Sequence, residues 1–216
     1  MSIVRLDLNI SLDGFASGGQ SETEPMGEDW NQLTKAYVST RTFMSRVLGD
    51  TSGKGTTGVD DRYAAKYFEG IGAEILGAGM YGFHAHPEDA DWQGWWGDKP
   101  PFGMPVFILT HTAPRESISF DNGTTFHFRN STVTEVLSEA KIHAAEKDVR
   151  IGGGVRTALS YLQLNLVDQV HFAIAPIILG RGVPVLSELA GLHNSHTATT
   201  EVAESGTIHI TFNRDK

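Results

Sequence analysis

Three consecutive glycines, Gly152, Gly153 and Gly154, separate an apolar segment containing Val149 and Ile151 from one whose Val155, Ala158, Leu159 and Leu162 recur at helical spacing. A strand that enters a helix through such a turn aims backbone N–H groups at whatever lies beyond the helix N-terminus. Glycine lets a ligand approach that backbone closely. The chemistry on offer is phosphate contact; the alternative is a tight turn that brings helix and sheet together. A second glycine-rich turn, Gly77-Ala78-Gly79, follows the short apolar segment Ala73 to Leu76.

Other residues carry chemistry of their own. Asp60 and Asp61 stand at the start of a helical pattern. A carboxyl there can donate a proton to a substrate, or it can cap the helix and face its dipole. Asp13 reads as a turn residue and Asp29 is a further acid. His84 and His86 place two imidazoles close together but lack a third ligand, so solvated loop histidines are expected and no metal site. Trp92, Trp95 and Trp96 either close over a flat substrate or anchor a long loop. No Gly-x-Ser-x-Gly elbow occurs. The segment Gly53 to Thr57, although it reads GKGTT, lacks the spacing of a nucleotide-binding P-loop.

The elements that must position these residues alternate. Val4, Leu6, Leu8, Ile10 and Leu12 interleave with Arg5, Asp7, Asn9 and Ser11, a strand with one polar face. A loop over residues 17–29 and a helix over about 31–48 follow. A second helix starts at Asp60 or Asp61, with Ala64, Tyr67, Phe68 and Ile71 on its apolar face and Gly70 and Gly72 at its end. Further strands fall at Ala73–Leu76, Pro105–Leu109, Thr125–Arg129 and Val167–Ala173. Residues 87–105 form a long loop. Thr132 and Glu135 form a capping box ahead of a helix. A hairpin turning at residues 203–206 closes the chain. Alternating strands and helices predict an α/β fold with a mostly parallel sheet and an antiparallel C-terminal hairpin.

The 216 residues predict one domain, 1–216, large enough for a sizeable core. A formal net charge of −9 argues against nucleic-acid or anionic-membrane partners. It leaves room for an anionic small molecule at a local N–H-rich site. Cysteine is absent, which excludes disulfides and thiolate chemistry. The N-terminal segment carries Arg5, Asp7 and Asp13, unlike a secretory signal, and a cytoplasmic location is expected.

Five blocks occur in a fixed order: SLDGF, ILGAGMYG, VFILTH, RIGGG and LVDQVHFAIAPIILGRG. Together they resemble the dihydrofolate reductase-like superfamily, and within it the riboflavin-biosynthesis reductase domain (RibD C-terminal domain) and its stand-alone relatives. The resemblance implies a three-layer α/β/α fold, a homodimer, and NADPH as cofactor. It implies hydride transfer to a small heterocyclic, imine or carbonyl substrate. By position, Gly77, Ala78, Gly79 and Met80 would lie beside the cofactor pyrophosphate. So would Gly152, Gly153, Gly154, Val155 and Arg156. Thr110, His111 and Thr112 would hold the adenosine end, and Asn9 and Ala16 would flank the nicotinamide. The family's helix-start acid, sixteen residues before the glycine after the next strand, falls on Asp61. One departure stands out. Relatives often carry a basic residue where this chain has Ala78, which leaves Arg115, Arg156 or His111 to meet a 2′-phosphate. A flavin-type cofactor, and a non-catalytic cofactor-binding protein of the same fold, remain the alternatives. The zinc signature of the deaminase half of the bifunctional riboflavin enzyme is absent.

Overall fold

The computed structural model describes residues 2–18, 27–83, 86, 89, 91–112 and 115–215. In chain order the elements are β1 (Val4–Ser11), β2 (Phe15–Ala16), α1 (Gly27–Val38), α2 (Arg41–Arg46), α3 (Val59–Lys66), β3 (Ile71–Gly77) and α4 (Ala78–Tyr81). They continue with β4 (Pro105–Leu109), β5 (Ile118–Ser119), β6 (Thr125–Arg129), α5 (Val133–Ala144), β7 (Asp148–Gly153) and α6 (Val155–Gln163). The last are β8 (Gln169–Ala175), β9 (Val183–Pro184), β10 (His196–Val202) and β11 (Ile208–Arg214). The chain forms two compact units, one of Met1–Leu6 with Gly70–Val167 and one of Asp7–Glu69 with Asp168–Lys216. Strand β1 begins in the first and ends in the second.

In the first unit the strands run in the order β1-β7-β3-β4-β6-β5. Every pairing is parallel except β5 with β6. Strands in such a sheet are apolar on both faces, and Ala73, Ile75, Leu76, Val106, Phe107, Ile108, Val149 and Ile151 are all fully or nearly fully buried. Helix α5 packs against β3, β4 and β7 through Val136, Leu137 and Ala140. It starts where the sequence places it: Thr132 and Glu135 form the reciprocal capping box.

Two irregularities interrupt the pairing of β3 with β7. Ile75 faces Ile151 but Leu76 faces Gly153, so Gly152 is an extra residue, a β-bulge. A side chain at Gly152 would run into the carboxylate of Glu74. Glu74 is buried and lies 3.6 Å from Arg150, its cross-strand neighbour. The first glycine of the triplet therefore makes room for a buried acid.

The second unit carries the order β10-β11-β8-β1, with β11 antiparallel to both β10 and β8. It also holds the short antiparallel pair β2–β9. The single helix expected over residues 31–48 is two helices. Thr40 caps the second through Phe43 N–H, and a Ser/Thr hydroxyl at that position competes with continued helix. Ile71, expected on a helix face, opens β3, because Gly70 turns the chain with φ +73°. The α/β class, the mostly parallel sheet and the antiparallel C-terminal pair agree with the sequence reading. Among the described residues, no helix is long and apolar enough to cross a membrane.

The bulge yields a stability prediction. Gly152→Ala should lower the free energy of unfolding by about 1–3 kcal/mol, the usual cost of overpacking, as measured by urea denaturation. Gly154→Ala, whose Cβ would meet nothing within 4 Å, should change stability far less. Equal stabilities would mean that Glu74 does not occupy that space.

Candidate functional site

Three adjacent parallel strands of the first unit end side by side. Leu76 pairs with Gly153, and Gly77 pairs with Leu109. The carboxyl ends of β7, β3 and β4 thus bring Gly152–Gly154, Gly77–Met80 and Thr110–Thr112 to one edge of the sheet. From β3 the chain passes to β4 on one side, and after α5 it returns to β7 on the other. In open α/β sheets a crevice for ligands opens outside the strand ends where the direction of travel reverses.

The N-terminus of α6 has the features that can receive an anion. Its N-cap is Gly154, no side chain caps it, and no acid stands in its first turn. The first-turn N–H groups, those of Val155, Arg156 and Thr157, therefore receive no cap from Gly154 and carry the positive end of the helix dipole. A Cβ at Gly154 would point into open space. Gly153 has φ +139°, a conformation that disfavours a side chain, and its neighbour is Met80. The peptide bond joining Gly153 to Gly154 is cis. Gly152 and Gly153 thus answer to different constraints, and Gly154 leaves open space at the helix N-terminus.

The second glycine turn abuts the first. A side chain at Gly77 would collide with the Thr157 hydroxyl, so the absence of one there lets α6 and β3 approach. Thr157 was not singled out from the sequence; its signal was a hydroxyl at the third position of a helix opened by glycine. Helix α4 starts at Ala78 with Gly77 as N-cap and spans only four residues. Of the two turns, α6 therefore supplies the longer aligned dipole.

At the end of β4, Thr110 accepts a hydrogen bond from Thr112 N–H, and the two hydroxyls lie 2.8 Å apart. Thr110 N–H donates to Arg129 O, which ties this turn to β6. His111 and Arg156 are exposed. The Arg115 guanidinium lies over the rings of Phe128 and Phe83, 5.3 and 5.8 Å from their centroids. Of the three residues expected to substitute for a basic residue at position 78, His111 and Arg156 stand in solvent.

The tryptophans are anchored in this unit. Trp92 Nε1–H donates to Tyr81 O, and Tyr81 O–H donates to Trp92 O. Burial pushes the Tyr81 hydroxyl up to about 12, so it stays protonated as a donor. Trp96 packs edge-on against Phe102. His86 stacks on Trp92 at 3.7 Å. His84, residues 19–26 of the expected first loop, and Pro87 lie outside the described residues. Among the described residues, no three histidines and acids form a group able to hold a metal.

Asn9, Ala16 and Asp61 belong to the second unit. Asn9 is half-buried on β1 and Ala16 is buried on β2. Asp61 Oδ1 accepts from Thr42 N–H at 2.7 Å, so it caps α2 rather than its own helix. Asp13 accepts from the N–H groups of Leu179 and Gly180, a turn residue as expected. Asp29 receives a two-pronged hydrogen bond from Arg181, which holds its carboxyl below the usual range. Ser11 is spent on the turn after β1, through Phe15 N–H and Phe15 O. A further arrangement, absent from the sequence reading, joins Asp60 to His209 and Asp7 to His171.

Comparison with known proteins places this geometry in context. The family model for the RibD C-terminal domain matches residues 2–209. The uncharacterized protein YyaP of Bacillus subtilis (strain 168) is 27% identical over 212 residues, spanning 96% of this chain and 92% of that protein. A solved structure assigned to riboflavin biosynthesis, from Shewanella sp. PV-4, superposes with a TM-score of 0.60 at 16% identity, covering 99% of each chain. Dihydrofolate reductase from Enterococcus faecalis, complexed with NADP(H), superposes with a TM-score of 0.51 at 11% identity, over 99% of this chain and 97% of that one. At such identities the superpositions carry the fold alone, which is dihydrofolate reductase-like. Matched by its family model over nearly its whole length, the chain belongs to the RibD C-terminal domain family.

Proposed function

We propose that the protein is an NADPH-dependent reductase that transfers a hydride to a small heterocyclic, imine or carbonyl substrate. The observation that carries this reading is the N-terminus of α6, uncapped, without an acid in its first turn, and opening beside Gly154 at the ends of adjoining parallel strands. Such a terminus suits a pyrophosphate. The donor set fits a dinucleotide. The N–H groups of Val155, Arg156 and Thr157 would meet the pyrophosphate, with Gly77–Met80 alongside. The Thr110–Thr112 turn would hold the adenosine end. Arg156, with the imidazole of His111, is exposed and available to a 2′-phosphate.

A nicotinamide dinucleotide supplies the hydride. The chain's own residues bind, orient and manage the proton. On this reading Asn9 and Ala16 flank the nicotinamide, and Asp61 holds the proton needed at the substrate heteroatom. The same reading includes the homodimer that the family resemblance implies.

Two experiments test it. The first is a calorimetric titration of the protein with NADPH and with NADH, repeated on Gly154→Asp. Gly154 has φ −62° and ψ 171°, which any residue adopts, and aspartate is a strong N-cap. The variant should stay folded, with a thermal midpoint equal to or above that of the parent. It should bind NADPH at least tenfold more weakly, about 1.4 kcal/mol. Unchanged affinity in the folded variant would remove the phosphate role from α6. Failure of the parent to bind either nucleotide would turn the search to flavin-type cofactors.

The second experiment concerns Asp61. Asparagine there keeps an oxygen for Thr42 N–H but cannot donate an acid proton. NADPH oxidation should be followed across heterocyclic, imine and carbonyl acceptors. With an accepted substrate, Asp61→Asn should turn over about 100-fold more slowly at unchanged NADPH affinity. Parent-like turnover would leave Asp61 as the cap of α2 and nothing more.

A further inference from the structure

Four ionisable side chains of the second unit form one line of hydrogen bonds. Asp7 Oδ1 lies 3.1 Å from His171 Nδ1. His171 Nε2 lies 3.0 Å from His209 Nδ1. His209 Nε2 lies 2.9 Å from Asp60 Oδ1. The line runs from β1 through β8 and β11 to the first turn of α3. Both imidazoles are buried, and only the carboxyl ends of the line touch the surface, with the side chains of Asp7 and Asp60 8% and 11% exposed. The two imidazoles are nearly coplanar, with an angle of 9° between them. Tyr63 stacks on both, 4.0 Å from His209 and 4.7 Å from His171. Coplanarity puts the facing nitrogens in the common plane that an N–H···N bond requires.

A count of protons gives the inference. Each of the three contacts needs one proton. Two ionised carboxylates and two neutral imidazoles supply only two. With two, one contact sets lone pair against lone pair at about 3 Å without water, a costly arrangement in a buried layer. A fourth proton has no contact within the line to close. We infer that Asp7, His171, His209 and Asp60 form a buried proton-storing site, holding three protons and a net charge of −1 at neutral pH.

The charged and titratable groups around the line are engaged with partners of their own. Arg62 of α3 is paired with Glu201 of β10, and Glu204 accepts from Val59 N–H. Lys66 Nζ lies 4.5 Å from the Tyr63 ring centroid. Tyr67 lies near His171 and beside Tyr37 of α1. Asp61 is taken up by Thr42. Burial holds His209 below the ordinary imidazole range, with Asp60 opposing.

The use of such a store rests on the reductase reading. A hydride added to the carbon of a C=N or C=O bond must be matched by a proton on the nitrogen or oxygen. The substrate is reduced, the dinucleotide is oxidised, and one proton is consumed. Moving each bonded proton one place along the line releases one proton at one carboxyl and accepts a replacement from water at the other. No other co-reactant is needed.

The test is nuclear magnetic resonance on the ligand-free protein, with nitrogen-15 histidine and carbon-13 aspartate labels, at pH 7. The nitrogen shifts report protonation of each ring nitrogen, and the carbonyl shifts report each carboxyl. Three protons over the four residues are expected. Asp60→Asn is the informative variant. Its amide N–H can donate to His209 Nε2, so two neutral imidazoles then satisfy all three contacts, and the stored proton should leave. Two neutral imidazoles between two ionised carboxylates in the parent would overturn the inference, whether or not the variant folds. A parallel NADPH titration separates the two readings. Three protons without NADPH binding would sink the reductase alone; NADPH binding with two protons would sink the store alone.

Discussion

One buried carboxylate constrains the strand on which the candidate site depends. Glu74 lies in β3 beside Arg150 of β7, in an otherwise apolar parallel sheet. Burying an acid there is tolerable only with a close positive partner and room for its oxygens. The room comes from Gly152, which bulges from β7 and carries no side chain. The bulge shifts the register so that Gly153 pairs with Leu76. That shift brings the triple-glycine turn beside Gly77. The open N-terminus of α6 is thus a consequence of how β7 accommodates its neighbour.

The protein is strongly acidic, yet its candidate site offers a helix N-terminus of the kind that favours an anion. Geometry resolves the conflict. In the first turn of α6 the local field is set by backbone N–H groups, and no acid stands there to oppose them. In the second unit, several acids are engaged by specific partners. Asp61 holds the N-terminus of α2, Asp13 holds two backbone N–H groups, and Asp29 is clasped by Arg181. Asp7 and Asp60 end the histidine line. Net charge alone therefore says little about what this protein binds.

Much of the fold was legible in the sequence. The alternation of β1, the capping box of α5, the apolar run of β4 and the closing hairpin are local patterns that propensity and periodicity decide. The break at Thr40 and the early start of β3 were misread, because one hydroxyl cap and one turning glycine outweighed longer apolar patterns. In the site, the glycine turns were legible as a class of residue. Their separate reasons were not: Gly152 answers to Glu74, Gly153 to its backbone angle, and Gly77 to Thr157.

The sequence by itself determined the alternation of strands and helices, the position of the glycine-rich turns at strand ends, and membership of a family whose motifs come in fixed order. These depend on neighbours within a few residues, or on the order of short blocks. Only the tertiary structure decided which acid meets which partner. Asp60 and His209 are 149 positions apart, and Asp7 and His171 are 164 apart. No local pattern links residues so distant. They meet because β8 and β11 pair antiparallel, setting His171 opposite Thr211 and His209 opposite Ala173, while β1 and α3 pack their acids against the two ends of the histidine pair.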